Sequence, residues 1–462
     1  MPRRLCLALA FATACSGGAK RPAAPPTPVD TDPDGPRRGA VAAQVQPYLD
    51  AEVVASVVVG LYDQGKTEIY GFGKGPGGAP PTGKTLYEIG SVTKVYTALL
   101  LADAVQLREV TLDTAVAELL PPGVVVPSKD KVPITLKQLA LHASGMPRLP
   151  PSLEAEVNAD PYAGYTEDAL YKDLIRTELQ DPPGSRIVYS NYGAGLLGFA
   201  LGKKLGGGYA AVLRDRILGP LGLASTTFGF PPGSEAVRAQ GTDEDLKAVP
   251  PWTFTDTLGG AGALVSNARD QLALIDAELD AAAGGKAPLR GPMRLTQEEQ
   301  LESAGPNTGL GWQIDSAGRY WHNGGTGGFH AFISFDPKNK RGVVVLASTS
   351  TMLVDRLADN LYSVLDGAGA KKPPVFPTAQ DLMPLVGTYD FQGQKLEVAV
   401  DGKRLYIAGP GEPKQRLMPL SSHEFLLEKF QAPVAFQKAD DGKVTGLVFV
   451  IGSQTFAASR VN

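Results

Sequence analysis

The chain has 462 residues, of which 43% are hydrophobic and 20% are charged. This ordinary globular balance excludes a mostly disordered protein, and the length predicts two or three domains. There are 44 lysine and arginine residues against 48 aspartate and glutamate residues, so the net charge of −4 argues against a general nucleic-acid-binding protein. The two cysteines, Cys6 and Cys15, both precede the main body of the chain, which excludes a disulfide framework and a cysteine-based zinc site there.

The N-terminal residues are typical of a bacterial secretory signal peptide. Two arginines precede the apolar run of residues 5–14, which is shorter than the roughly 20 apolar residues that a membrane-spanning helix needs. Cys15 directly follows Ala-Thr-Ala, and this setting resembles a lipoprotein signal, in which the cysteine is lipidated after cleavage. A soluble secreted form is the alternative. We therefore predict a signal peptide over 1–14, lipidation at Cys15, and a Pro- and Gly-rich tether over 15–42.

Two glycine-rich patterns follow, and neither predicts nucleotide binding. Residues 73–78 match the dinucleotide fingerprint G-x-G-x-x-G, and residues 78–85 match the P-loop pattern. Pro80 and Pro81 lack the N–H groups with which such a loop holds phosphates. The alternating residues 53–72 also predict a β-hairpin rather than a strand that leads into a helix.

The segment Ser91-Val-Thr-Lys94 contains a candidate nucleophile. It opens a helical apolar pattern, and residues three apart lie on one helix face. A serine hydroxyl needs an activating base, and a lysine amine can serve when its pKa falls well below about 10.4. The pattern alone is common, and a helix-capping serine with an exposed lysine is the plain structural alternative.

The residues around this pair (YEIGSVTKVYTALLLA) resemble the first motif of the class C β-lactamase and D-Ala-D-Ala carboxypeptidase family of serine peptidases. Further segments resemble the family's other motifs in the same order: residues 134–147, 183–193, 258–270 and 309–329. The resemblance runs from about residue 43 to about residue 365. It implies an α/β (α+β) sandwich of the β-lactamase and penicillin-binding-protein type over residues 43–368, with an antiparallel sheet flanked by helices.

The resemblance also implies roles for individual residues. Tyr189 would share general-base duty with Lys94 and later protonate the leaving group. Asn191 would direct its amide towards the substrate and Lys94. The backbone N–H groups of Ser91 and Gly325 would form the oxyanion hole.

The third motif departs from the family pattern. His322 and Asn323 stand where the family usually has Lys or His followed by Thr. Histidine is mostly neutral near pH 7, so His322 would bind a substrate carboxylate more weakly than lysine would. Gly324 would let a substrate backbone approach closely. The departures disfavour an efficient β-lactamase, and the remaining histidines form no metal-binding pair, so neither a metal nor a cofactor is expected.

The last part of the chain shows a different pattern. Short alternating strands meet at Asp-Gly turns at 401–402 and 441–442, which predicts an antiparallel meander. Gly387-Thr-Tyr389 resembles the start of the lipocalin-like barrels that some members of this family carry. We predict a small antiparallel β-barrel over 376–462. It could cap the active site, mediate oligomers or only pack.

Together these features predict a serine hydrolase that is exported to the cell envelope, in the periplasm or on the outer surface, and is anchored to a membrane through Cys15. It would act through a Ser91 acyl-enzyme on amide or ester bonds, as a D-amino-acid-type peptidase, carboxypeptidase or esterase. One alternative is a class C-like β-lactamase. The other is a penicillin-binding sensor without turnover, which the set of Ser91, Lys94, Tyr189 and Asn191 disfavours. The expected partners are a small peptide, ester or β-lactam-like substrate and a membrane, not nucleic acid.

Overall fold

The computed structural model describes Asp32 and residues 35–154, 160–300, 308–367 and 371–461. The predicted signal peptide and Cys15 lie outside the described residues.

The α-helices in these ranges are α1 (Arg38–Asp50), α2 (Thr93–Gln106), α3 (Leu136–Ala140), α4 (Pro151–Glu154), α5 (Glu167–Arg176), α6 (Asn191–Leu205), α7 (Tyr209–Leu213), α8 (Ala268–Ala282), α9 (Arg290–Gln297), α10 (Leu353–Asp366) and α11 (Ala379–Leu382). The strands are β1 (Ser56–Asp63), β2 (Lys66–Gly73), β3 (Tyr87–Glu88), β4 (Thr227–Phe228), β5 (Leu264–Ser266), β6 (Gln313–Ile314), β7 (Tyr320–Gly325), β8 (His330–Asp336), β9 (Arg341–Ala347), β10 (Gly387–Phe391), β11 (Gln394–Asp401), β12 (Arg404–Ala408), β13 (Gln415–Pro419), β14 (Glu424–Leu427), β15 (Ala432–Lys438), β16 (Val444–Ile451) and β17 (Gln454–Arg460).

The main sheet is antiparallel and has helices on both faces. Across the described residues its strand order is β2-β1-β9-β8-β7-β6. In β9, Val343 and Val345 pack towards α1 and α10, whereas Val344 and Leu346 pack towards the layer that contains α2, α6 and α8. Because alternate side chains are buried on opposite faces, the central strands are apolar throughout. This arrangement confirms the predicted sheet flanked by helices.

Helix α2 is the central helix of the larger layer. Its residues from Thr93 to Ala104 are buried, so it lacks the polar stripe of a surface helix. Burial on all sides fixes the helix in the core, and Ser91 lies in the short 3₁₀ turn directly before it. The predicted nucleophile is therefore attached to a helix that is buried on all sides.

The C-terminal strands β10 to β17 form a closed antiparallel barrel, counted over residues 387–460. Closure comes from the pairing of β10 with β17, in which Tyr389 lies opposite Arg460. Tyr389, Phe425 and Phe436 lie in its apolar centre. The predicted barrel is thereby confirmed, and its closure leaves no unpaired sheet edge.

The structure differs from the sequence prediction at the start of the folded chain. Helix α1 begins at Arg38, inside the range predicted as tether. The preceding Arg37 forms ion pairs with Asp63 and Glu68 of the first hairpin. These contacts and the apolar face of α1 order residues that composition alone assigned to a linker. Among the described residues, no helix combines the length and the apolar composition needed to cross a bilayer.

A carboxyl group is buried in α8, which packs against the sheet and α9. Glu278 is 0% exposed and accepts a hydrogen bond from Gln297 Nε2 at 2.5 Å. Burial raises the pKa of Glu278 from 4.5 to about 8, since a carboxylate is poorly solvated there. At neutral pH the side chain is therefore mainly protonated in the folded protein and ionised in the unfolded chain.

We predict that this group makes the stability of the protein depend on pH. Folding takes up a proton at Glu278 between pH 4.5 and about 8. The contribution of Glu278 to the free energy of unfolding is therefore complete below this window and is lost as the pH rises through it. The loss is at most about 1.4 kcal/mol per pH unit. Glu278→Gln keeps a hydrogen-bond acceptor without an ionisable group and should flatten the dependence. Thermal unfolding midpoints of both proteins across this window check the prediction, and parallel profiles would contradict it.

Candidate active site

The turn that carries Ser91 is pressed against strand β7. Gly90 has φ +48°, and a Cβ atom there would lie 2.8 Å from the carbonyl oxygen of Gly325. A Cβ atom on Gly324 would lie 2.1 Å from the carbonyl oxygen of Ile89 and 2.5 Å from the backbone nitrogen of Ser91. No side chain fits at either position, so two glycines allow the nucleophile turn and β7 to approach each other.

This packing explains why position 324 requires a glycine. The sequence predicted that a glycine there would let a substrate backbone approach, and Gly324 does line the main cleft. In the structure its missing side chain also makes room for the Ser91 turn. The close approach brings together the backbones of Ser91 and Gly325, the two predicted oxyanion-hole residues. Both residues line a cleft of about 800 Å³. A cleft of this size accommodates a drug-sized ligand.

Lys94 lies directly behind Ser91. Its Nζ atom is 2.9 Å from Ser91 Oγ, 2.9 Å from Asn191 Oδ1 and 2.6 Å from the carbonyl oxygen of Ala261. Burial, with a smaller contribution from the nearby positive charge of Arg148, lowers the pKa of Lys94 well below its ordinary value of 10.5. A neutral amine can donate two hydrogen bonds, here to Asn191 Oδ1 and to the Ala261 carbonyl oxygen. Its one lone pair then faces the Ser91 hydroxyl.

Tyr189 lies beside this pair. Its ring centroid is 4.9 Å from Lys94 Nζ, 5.3 Å from Arg148 Cζ and 4.4 Å from the ring centroid of His142. Burial raises the pKa of Tyr189 to about 12, although the Ser91 hydroxyl and Arg148 oppose the shift. The phenol therefore keeps its proton at neutral pH. This favours Lys94 as the base and Tyr189 as a proton donor, a sharper division than the shared base duty suggested by the sequence.

Asn191 joins the catalytic cluster to an aromatic wall. It is the first residue of α6, and Ser190 caps this helix by accepting a hydrogen bond from Gly193 N. The Asn191 side chain accepts from Lys94 and donates one N–H to the Tyr162 hydroxyl at 2.8 Å. Tyr162 in turn stacks on Phe254, with ring centroids 4.4 Å apart. The contact to Lys94 agrees with the predicted direction of the amide, and the bond to Tyr162 holds the amide in this orientation.

His322 is buried rather than presented to the main cleft. It is 3% exposed, and its Nδ1 atom is 2.6 Å from the carbonyl oxygen of Asn323. It borders a separate cavity of about 210 Å³ together with His142 and Trp312. Burial and the charge of Lys94 lower the pKa of His322 from 6.5 to about 4. The imidazole is therefore neutral between pH 6 and 8, which strengthens the expectation from the sequence that His322 binds a carboxylate only weakly.

Two residues that sequence reasoning did not single out lie at the same site. Asp355 accepts a hydrogen bond from Asn323 Nδ2 at 2.6 Å and contacts His330 Nε2 at 2.8 Å, so it holds the third motif from α10. Arg148 is exposed and lines the main cleft with Ser91 and Tyr189. The signal for Arg148 in the sequence was its position directly after residues 134–147, which resemble a motif of the family. No such signal pointed to Asp355, because this residue lies outside the segments that resemble the family's motifs.

Within the described ranges, no group of three His, Cys, Asp or Glu side chains is placed to hold a metal ion. The site brings together a hydroxyl, an amine of lowered pKa and a phenol beside the closely packed backbones of Ser91 and Gly325. This constellation defines a serine hydrolase site of the β-lactamase fold.

The comparisons agree with this class. The family model described as Beta-lactamase matches residues 41–367, and the chain belongs to this family of serine hydrolases. A protein named "Penicillin-binding protein 4" from Amycolatopsis lactamdurans is 27% identical over 343 residues, which cover 68% of this chain and 87% of that protein. The "D-alanyl-D-alanine-carboxypeptidase/endopeptidase AmpH" of Escherichia coli (strain K12) is 25% identical over 311 residues, which cover 64% and 79%.

A solved structure has the same fold. The crystal structure of a class C β-lactamase from Rhodobacter sphaeroides superimposes with a TM-score of 0.61 at 25% identity, and the match covers 71% of this chain and 99% of that one. The class C β-lactamase-like fold implied by the sequence motifs is thereby confirmed.

We predict that Ser91→Ala abolishes covalent labelling by a serine-reactive fluorophosphonate and lowers turnover by roughly 10³-fold or more. The physical reason is that Ser91 Oγ is the hydroxyl that lies 2.9 Å from the Lys94 amine. Intact-mass spectrometry of wild type and variant measures the adduct. Ser185→Ala, on an exposed turn, is the matched control and should label like wild type. An adduct on the Ser91→Ala protein would place the nucleophile elsewhere.

Proposed function

We propose that this serine hydrolase works through a Ser91 acyl-enzyme on amide or ester bonds, as a D-amino-acid-type peptidase, carboxypeptidase or esterase. The observation that carries the proposal is the 2.9 Å contact between Ser91 Oγ and the Lys94 amine, whose pKa burial lowers well below its ordinary value of 10.5. A neutral amine can accept the serine proton, which an ammonium cannot.

The proposed reaction has two stages. Ser91 Oγ attacks the carbonyl carbon while its proton passes to Lys94 Nζ, and the backbone N–H groups of Ser91 and Gly325 stabilise the oxyanion. The bond to the leaving group then breaks as Tyr189 donates its proton to the departing nitrogen or oxygen, and Tyr189 regains a proton from Lys94. In the second stage water attacks the carbonyl carbon of the ester while its proton passes to Lys94 Nζ. The bond to Ser91 Oγ then breaks as Lys94 returns that proton to Ser91 Oγ, which releases the acid and restores the free Ser91 hydroxyl.

The charge distribution supports a substrate that carries a carboxylate near the scissile bond. His322, the residue of the third motif expected to meet that carboxylate, is neutral and buried. Arg148 instead presents a permanent positive charge in the cleft beside Tyr189 and Asn191. We propose that Arg148 binds the substrate carboxylate. The neutral third motif disfavours the alternative function of an efficient β-lactamase.

We predict that Arg148→Gln raises KM for a peptide with a free C-terminal carboxylate by roughly tenfold, with a smaller effect on a neutral ester. In wild type, KM for the peptide should stay flat between about pH 6 and 8, because the pKa of His322 lies near 4 and a guanidinium does not titrate in this range. Steady-state kinetics with both substrates measure this. Arg186→Gln, which changes an exposed arginine paired with Asp181, is the control.

Two outcomes would contradict this role of Arg148. An equal rise of KM for the peptide and the ester would show that Arg148 shapes the site without binding a carboxylate. A KM for the peptide that increases with pH between 6 and 8 would instead return that role to His322.

We also propose that residues 1–14 direct export to the cell envelope, that Cys15 carries a lipid, and that the tether leads to a hydrolase domain (43–368) and a barrel domain (376–462). The sequence pattern around Cys15 supports the anchor.

We predict that wild type expressed in a bacterial host fractionates with membranes, whereas Cys15→Ala is released into the soluble fraction, because a single Cys carries the anchor. Immunoblotting of both fractions measures this, with Cys6→Ala as the control. Equal solubility of wild type and Cys15→Ala would favour simple secretion.

A further inference from the structure

The barrel contributes directly to the cleft that contains Ser91. Glu428, Lys429 and Gln431 line this cleft. They belong to the loop between β14 and β15, which we call the 428–431 loop. The barrel is therefore part of the wall that a substrate in the cleft would meet.

Hydrogen bonds hold the 428–431 loop in place against the hydrolase domain. The Glu428 carboxylate accepts from Thr351 Oγ1 at 2.6 Å and from the backbone N–H of Met352 at 3.0 Å. Burial raises the pKa of Glu428, as expected for a carboxyl group enclosed by the two parts of the chain. Gln431 donates its side-chain N–H to the carbonyl oxygen of Glu428 at 2.7 Å, which fixes the form of the loop. Lys429 is thus carried on a loop of defined shape.

A second contact region stabilises the same wall. Arg416, on β13, is 1% exposed and donates to the backbone carbonyl oxygens of Glu52 and Glu244. The Tyr406 hydroxyl donates to Asp245 Oδ1 at 2.7 Å. Residues 243–245 also line the cleft. The barrel therefore supplies one section of the cleft wall and holds another section in position.

The contact extends to the third motif and to the core. Thr351 and Met352 immediately precede α10, whose Asp355 bonds to Asn323 and His330. Met418 of β13 is fully buried in the apolar cluster formed by α1, α10 and the sheet. The position of the barrel is therefore fixed by packing as well as by polar contacts.

We infer that the 428–431 loop is a specificity-determining wall of the active site and that Lys429 contacts the part of the substrate beyond the scissile bond. The inference rests on the proposed acyl-enzyme function and names its substrate class: a peptide of several residues rather than a small ester. A small ester would occupy only the surroundings of Ser91, whereas a cleft of about 800 Å³ extends to the barrel. The exposed Lys429 side chain is long and ends in a group that donates hydrogen bonds, so it can pack against a peptide and donate to its carbonyl oxygens.

The test measures a selectivity ratio in the full-length chain. The ratio is kcat/KM for a tripeptide p-nitrophenyl ester divided by kcat/KM for p-nitrophenyl acetate, and a peptide extended on the leaving-group side gives a second ratio. Lys429→Ala and, separately, Glu428→Ala should lower at least one ratio by roughly tenfold. Lys438→Ala removes an exposed lysine from β15, outside the cleft, and should leave both ratios unchanged.

Fluorophosphonate labelling of Ser91 separates the outcomes. A variant that labels at the wild-type rate retains a folded site, so its selectivity ratio can be interpreted. Unchanged ratios in labelled Lys429→Ala and Glu428→Ala would overturn the inference and leave the barrel with a packing role. A wild-type protein that neither labels nor hydrolyses any of the substrates would overturn the proposed function and the inference with it.

Discussion

The site depends on the close approach of two backbones, the turn at Gly90 and strand β7 at Gly324. Any larger side chain at these positions would separate the nucleophile from the strand, as the short distances to Gly325, Ile89 and Ser91 show. The approach joins the turn before the central helix α2 to strand β7 of the main sheet, so a buried helix and the sheet together set the geometry of the site. Precise placement of this kind is what an oxyanion hole requires.

Burial of Lys94 is the second constraint, and it has two linked effects. The low-dielectric surroundings disfavour the ammonium form, which makes the amine a usable base. The same surroundings require that its N–H groups be satisfied, which Asn191 and Ala261 provide. Asn191 is held by Tyr162, so the aromatic wall beside the cleft contributes to the orientation of the base.

Part of this arrangement could be predicted from the sequence. Ser91 and Lys94 are three residues apart at the start of one helix, so short-range geometry places their side chains together. Asn191 is 97 residues beyond Lys94, and Tyr189 is two residues before Asn191, so their place in the site was implied only by the resemblance to the family's motifs. The lowered pKa of His322 could not be predicted, since it depends on the burial of the side chain in the folded protein and on the charge of Lys94. The contribution of the 428–431 loop could not be predicted either, because it follows from how the barrel packs against the main domain. The helix at Arg38 was missed since its contacts lie on a distant hairpin.

The position of β1 in the sheet has a consequence for how the chain folds. Val57 of β1 lies opposite Ala347 of β9, so two segments from opposite ends of the hydrolase region are neighbours at the centre of the sheet. Such pairings of high sequence separation are slow to form, because a long loop must be closed first. During synthesis the central sheet cannot be completed until β9 has left the ribosome, which keeps the chain incompletely folded for most of its translation.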